Sequence, residues 1–146
     1  METIVLILYL LVLSFFDLKE KKVPVLLLAL GIMTSVVFAL YLCFIGTNHW
    51  IHSVMGVLPG ILLLVVAWVT EKAGYADGIV MLMIGVLAGG REGFFVLCIS
   101  LLLLSFLSIV LLALKKVGKK TRLPYIPFIT LAYLLRVMMA GSGGIA

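Results

Sequence analysis

The chain contains only two aspartates, Asp17 and Asp77. Each lies where a long apolar run meets a short charged stretch. A carboxyl at the edge of hydrocarbon is costly to keep and therefore points to function, with a partner to be named. Here each aspartate is the other's obvious partner. One carboxylate can take a proton from water while one carboxylic acid polarises a carbonyl, the division of labour that hydrolysis of a peptide bond by two acids requires. Two carboxyls about 3 Å apart cannot easily both ionise, so such a pair shares one proton and titrates as a unit.

The elements that would position the two acids are membrane helices. The chain is 146 residues long, 65% hydrophobic and 12% charged, against about 25% charged in an average soluble domain. That composition excludes an ordinary soluble enzyme and defines an integral membrane protein. Residues 1–16 lack a basic start and a small-residue cleavage site, so the first apolar run reads as a retained helix rather than a signal peptide. A net charge of +5 raises nucleic acid as a partner. The basic residues, however, cluster beside apolar runs, which makes anionic lipid the partner and not nucleic acid. Cys43 and Cys98 have no C-x-x-C spacing and sit in apolar runs, where packing accounts for them.

With about 20 helical residues needed per crossing, the sequence divides into about six apolar segments: 4–16, 25–45, 54–69, 79–90, 94–114 and 124–139. The expected fold is an all-α bundle of about six transmembrane helices forming a single membrane-embedded domain over 1–146. Lys19, Lys21 and Lys22 follow the first segment, Lys72 the third, and Lys115, Lys116, Lys119, Lys120 and Arg122 the fifth. The excess of Lys and Arg marks those three loops as cytoplasmic and puts both termini outside. On this topology Asp17 closes the first helix and Asp77 opens the fourth, on the same side of the bilayer. The fourth segment gives only ~18 Å of helix, and starting it near Gly74 lengthens it and sets Asp77 about one turn inside.

Gly74 and Gly78 leave little bulk beside Asp77, so the first helix or an extended substrate strand can approach there. Gly85, Gly89 and Gly90 read equally well as ordinary close-packing positions. Tyr75 suits either a hydrogen bond to the acid or an interfacial anchor. Pro24 and Pro124 suit the first turns of the second and sixth helices, with Pro127 close behind. Of the two outer loops, one carries His49 and His52 and the other the adjacent Arg91 and Glu92; the two histidines have no third ligand indicated nearby, so no metal site is expected, and nothing calls for a cofactor.

Together these stretches resemble the type IV prepilin peptidases. Asp17-Leu-Lys-Glu-Lys-Lys-Val-Pro24 is similar to that family's first motif, Gly74-Tyr-Ala-Asp77 to its G-x-G-D motif, and Leu123-Pro-Tyr-Ile-Pro-Phe128 to the proline-rich start of its last helix. The resemblance implies a GxGD-type intramembrane aspartyl protease with Asp17 and Asp77 as its acids. It also implies cleavage of basic leaders from prepilins, pseudopilins or archaeal preflagellins at the cytoplasmic face. Ala76 replaces the motif's second glycine, Val25 stands where many members have asparagine, and Ile79 where many have lysine. With no paired C-x-x-C segment, the chain resembles the short form that has no methyltransferase segment.

Three other readings stay open: a catalytically inactive relative, a small cation- or proton-coupled membrane protein, and a structural subunit of a pilus-assembly machine. The coupled protein would line a path with polar groups, and Ser14, Thr34, Ser35, Ser100, Ser105 and Ser108 are the main ones available. Because the leaders are themselves basic, the loop lysines are assigned to lipid headgroups rather than to substrate. The positive-inside topology predicts that a membrane-impermeant thiol reagent applied from the cytoplasm labels Lys21→Cys, Lys72→Cys and Lys119→Cys but not Asn48→Cys or Glu92→Cys. Labelling of position 72 only from the outside would put the two acids on opposite faces and end the pair hypothesis.

Overall fold

The computed structural model describes residues 2–46, 49–70, 74–116 and 123–143. The loop residues Asn48, Glu71, Lys72, Lys119, Lys120 and Arg122 lie outside the described residues. The described chain is all helical, with six helices: α1 (Glu2–Glu20), α2 (Val25–Ile45), α3 (His49–Thr70), α4 (Tyr75–Ala88), α5 (Gly90–Ala113) and α6 (Ile126–Gly143). Stretches Val25–Ile45, Ile51–Thr70 and Gly90–Ala113 are long and apolar enough to cross a bilayer, and α4 and α6 are shorter apolar helices. Large apolar side chains such as Phe44, Val25 and Trp68 are exposed, as lipid-facing positions require. The protein is therefore a multi-pass membrane protein.

Local chemistry sets the helix ends. Pro24 is the N-cap of α2, in extended conformation, and its carbonyl accepts from the Leu27 and Leu28 N–H groups. Proline at a helix start costs little because the N–H it lacks would have no helical partner there. Gly46, at φ +67°, closes α2 in the left-handed conformation that glycine adopts without strain. Pro59 is tolerated inside α3, where it is fully buried. Pro124 precedes the first residue of α6 by two positions, and Pro127 occupies the first turn.

Several boundaries differ from the sequence reading: α3 begins at His49 rather than residue 54, so His49 and His52 lie in a helix and not in a loop, and α6 runs to Gly143 rather than residue 139. Asp17 does not end α1, which runs on to Glu20. No loop carries Arg91 and Glu92: α4 and α5 are joined by Gly89 alone, at φ +95°, and both charged residues lie in the first turn of α5. The Gly89 N–H donates to Gly85 and its carbonyl accepts from Gly93, both at 2.9 Å. A single residue with positive φ thus makes the whole turn. The cysteines also differ from the packing expected of them, since Cys43 and Cys98 are both exposed.

The chain forms two compact units, one of residues 1–22 and 96–146 and the other of residues 23–95. In the second unit α4 packs on α3 and α2, and glycines let α3 and α4 approach backbone to backbone. A methyl group on Gly56 would land on the Gly85 carbonyl, and one on Gly85 would land on the Gly56 carbonyl. One on Gly60 would meet the Leu82 backbone at 2.6 Å, and one on Gly90 would meet Met55 at 2.8 Å. The core around this contact includes Val80, Met81, Ile84, Leu63 and Ala67.

In the first unit α1 packs on α6. Leu6, Leu10, Leu13 and Asp17 recur at helical spacing and are all buried, so Asp17 belongs to the buried stripe of α1. Ile126, Ile129, Ala132 and Tyr133 form the corresponding stripe of α6.

The Gly56–Gly85 contact makes a prediction for stability. Gly56→Ala or Gly85→Ala overpacks the crossing and should cost about 1–3 kcal/mol. Gly141→Ala, with nothing within 4 Å of the added methyl, should stay within about 0.5 kcal/mol of the parent. Thermal unfolding of the detergent-solubilised variants measures the difference.

Candidate active site

Asp17 is 8% exposed although it sits among apolar neighbours. Its Oδ2 accepts the backbone N–H of Ile126 at 3.3 Å. Ile126 is the first residue of α6, where a helix leaves N–H groups without helical acceptors. Pro127 has no N–H to offer. The Phe128 and Ile129 N–H groups both donate to the Tyr125 carbonyl, at 3.0 and 3.2 Å. The Ile126 N–H therefore needs an acceptor from outside its own helix, and the Asp17 carboxylate supplies it. Asp17 acts as a helix cap in trans.

A second polar contact lies one turn further along both helices. Ser14 Oγ and Thr130 Oγ1 are 2.6 Å apart and buried. Thr130 Oγ1 also lies 3.0 Å from the Ile126 carbonyl and 3.3 Å from the Leu10 carbonyl. A third contact fixes the residue before α6: the Tyr125 hydroxyl and Ser100 Oγ are 2.6 Å apart, and Ser100 also donates to the Leu97 carbonyl at 3.0 Å. The sequence reading noted Ser14 and Ser100 only as scattered polar groups and did not single out Thr130 or Tyr125. Helical spacing was the available signal, since Ser14 lies three residues before Asp17 and Thr130 four after Ile126.

Asp77 is half-buried in the first turn of α4, whose N-cap is Gly74. Its N–H donates to the Gly74 carbonyl at 3.1 Å. The carboxylate turns back over the cap, so a methyl group on Gly74 would lie 3.0 Å from Asp77 Oδ2. This is the direction an acid takes at the third position of a helix with a capping-box start. The neighbour at Gly74 is thus the acid itself. Gly78 faces α3 instead, where an added methyl would lie 2.7 Å from the Leu64 side chain.

Tyr75 is exposed, and Ala76, in place of the motif's second glycine, is half-buried. Among the described residues no group of three His, Cys, Asp or Glu side chains comes together in a way that could hold a metal ion. Asp17 belongs to the first unit and Asp77 to the second.

Fold and composition define an all-helical, multi-pass membrane protein with one acid buried against a neighbouring helix and a second at a helix start. The family model of the type IV leader peptidases matches residues 4–114, a stretch that includes both aspartates and the first two motif-like stretches. The chain belongs to the type IV leader peptidase family. The match stops short of Leu123–Phe128, so the third stretch rests on resemblance alone. No curated protein and no solved structure matches the chain.

The trans cap predicts how Asp17 variants differ in stability. Asp17→Asn keeps an acceptor oxygen and should remain close to the parent. Asp17→Leu leaves the Ile126 N–H buried without an acceptor and should cost about 1–3 kcal/mol. Thermal unfolding in detergent distinguishes them, and equal stability of the two variants would show that the cap contributes nothing.

Proposed function

We propose that the protein is an aspartic endopeptidase that removes the basic leader from prepilin-like precursors, whether type IV pilins, pseudopilins or Flp/Tad-type pilins. Cleavage takes place at the cytoplasmic face of the cell membrane, with both chain termini outside. The observation that carries this reading is the family match across residues 4–114, which contains both aspartates of the chain. The lysines beside them support the cytoplasmic assignment, because Lys19, Lys21 and Lys22 follow Asp17 and Lys72 precedes Asp77.

Asp17 and Asp77 are the two acting acids. One, as carboxylate, takes a proton from water while the water oxygen bonds to the scissile carbonyl carbon. The other, as carboxylic acid, gives its proton to the carbonyl oxygen, producing a neutral tetrahedral diol. Collapse of the diol breaks the C–N bond, the leaving nitrogen takes a proton from the first acid, and a diol hydroxyl returns a proton to the second. No metal or cofactor takes part. Gly74 serves the site by leaving room for the Asp77 carboxylate, and Gly78 serves it by seating α4 against α3.

The test is cleavage of a membrane-inserted precursor with a short basic leader ending in glycine, followed by an apolar helix. Asp17→Asn and Asp77→Asn should each lower the rate below detection, at least about 10³-fold, while inserting normally. Substantial processing by either purified variant would eliminate the two-acid mechanism. No cleavage by the parent of any such precursor would leave an inactive relative, or a structural subunit, as the better description.

A further inference from the structure

The hydrogen bond from Ile126 to Asp17 can hold the carboxylate only as firmly as the first turn of α6 is itself held. Two further side-chain contacts, Ser14–Thr130 and Tyr125–Ser100, hold it, and the family match assigns neither of them. Ser14 and Asp17 lie three residues apart on α1, and Ile126 and Thr130 lie four apart on α6. The bonds Ser14–Thr130 and Asp17–Ile126 are thus two rungs, about one helical turn apart, between the same pair of helices. One rung would permit rotation about it; two fix the register.

The third contact acts on the cap residue. Tyr125 is the residue whose carbonyl accepts the Phe128 and Ile129 N–H groups and so begins α6. Its hydroxyl is bonded to Ser100, which is 0% exposed, while Tyr125 is 6% exposed. A tyrosine hydroxyl taken this far from water needs a partner, and the partner lies on α5. The backbone group that starts α6 is therefore tied to a second helix through its own side chain.

Thr130 already lies within bonding distance of the carbonyl four residues back, as threonine commonly does in membrane helices. That local bond would satisfy its hydroxyl. The additional contact with Ser14 serves the pairing of α1 with α6 rather than the threonine.

We propose that Ser14, Thr130, Tyr125 and Ser100 are positioning residues that lock the first turn of α6, so that the Ile126 N–H holds the Asp17 carboxylate in one orientation. The proposal rests on the reading of Asp17 as one of the two acting acids. None of the four touches the reacting atoms. Their effect reaches the reaction through Asp17 alone, and a misplacement of about 1 Å in a reacting group can slow catalysis about 100-fold.

Two measurements on the full-length protein in detergent micelles test it. The first is steady-state cleavage of a model precursor, a short basic leader ending in glycine fused to an apolar helix. Thr130→Val and Tyr125→Phe keep shape and lose one hydroxyl each. Both should lower kcat about tenfold or more, with KM within about twofold. Thr130→Ser should recover most of the loss, and Ser14→Ala/Thr130→Val should be no slower than the slower single variant, because the two hydroxyls form one rung. A parent kcat in Thr130→Val, a loss confined to KM, or no recovery in Thr130→Ser would each overturn the proposal.

The second measurement needs no substrate. Amide hydrogen exchange at Ile126 should be about tenfold faster or more in Thr130→Val and Tyr125→Phe than in the parent. Unchanged exchange at Ile126 overturns the proposal by itself. The two hypotheses fail separately: an active Asp17→Asn removes Asp17 from the chemistry and leaves the exchange result standing, whereas an inactive Asp17→Asn beside a fully active Thr130→Val removes only the positioning role.

Discussion

A backbone N–H buried away from water must find an acceptor, and in a membrane helix there is little water to supply one. At the start of α6 that constraint is met by an acid. Ile126 is fully buried, its neighbour Pro127 brings no donor, and the one donor left over points at Asp17. The same oxygen that completes α6 belongs to the side chain assigned to the chemistry. Much of the first unit can be read from this one bond. Asp17 must lie on the buried stripe of α1 with Leu6, Leu10 and Leu13, and α6 must present its first turn, rather than its middle, to that point. The Ser14–Thr130 pair then keeps the two helices from sliding.

The second unit solves a different problem. At 14 residues, α4 is ~21 Å long, shorter than the ~30 Å of hydrocarbon, so its own length does not fix its depth. Contact with α3 can. Where Gly56 and Gly85 meet, backbone touches backbone, and that contact exists at only one register. Side chains elsewhere could repack around a small slide; two facing carbonyl groups cannot. Asp77 thereby takes its axial position from a contact two turns along the helix from it. This also revises what Gly85 does. It is no generic small residue of the apolar segment but one half of the crossing point.

The fold class and the membrane setting were legible in the sequence because they depend on residue type summed over long windows. The boundaries of α2 were legible because Pro24 and Gly46 have strong backbone preferences. The family was legible too, since the acids sit in stretches with the family's residue order, and the match over residues 4–114 bears it out. What escaped were features made by two residues distant in sequence. Nothing in residues 123–130 announces that the Ile126 N–H, the first of α6, will seek residue 17, and a threonine in an apolar helix bonds its own turn often enough to carry no signal. The α4–α5 turn escaped for a different reason. Arg91, Glu92 and Gly93 have the composition of a loop, whereas Gly89 completes the turn by its backbone angle alone, which leaves the charged pair free to begin a helix. The fall in hydropathy at Asp17 reads as the end of α1, but Leu18, Lys19 and Glu20 are all adequate helix formers and the helix continues to Glu20.

Both acids are positioned by helix starts, but in ways that make their geometries depend on different parts of the chain. Asp77 turns back over its own helix start, since Gly74 and the first turn of α4 are its own sequence neighbours, and its carboxylate lies where any side chain at position 74 would have to go. Its orientation is set by four consecutive residues and survives changes elsewhere that leave α4 seated. Asp17 caps from outside. Its partner is 109 residues away, so its orientation depends on α1, on α6, and on the contacts that hold α6 at its start. A substitution at Gly74 thus acts on one acid and a substitution at Thr130 on the other. Separate supports of this kind leave one acid dependent on its own sequence neighbours while the other depends on a helix that lies beyond the matched residues. Local sequence is sufficient to orient the Asp77 carboxylate on α4, whereas the orientation of Asp17 comes from tertiary structure.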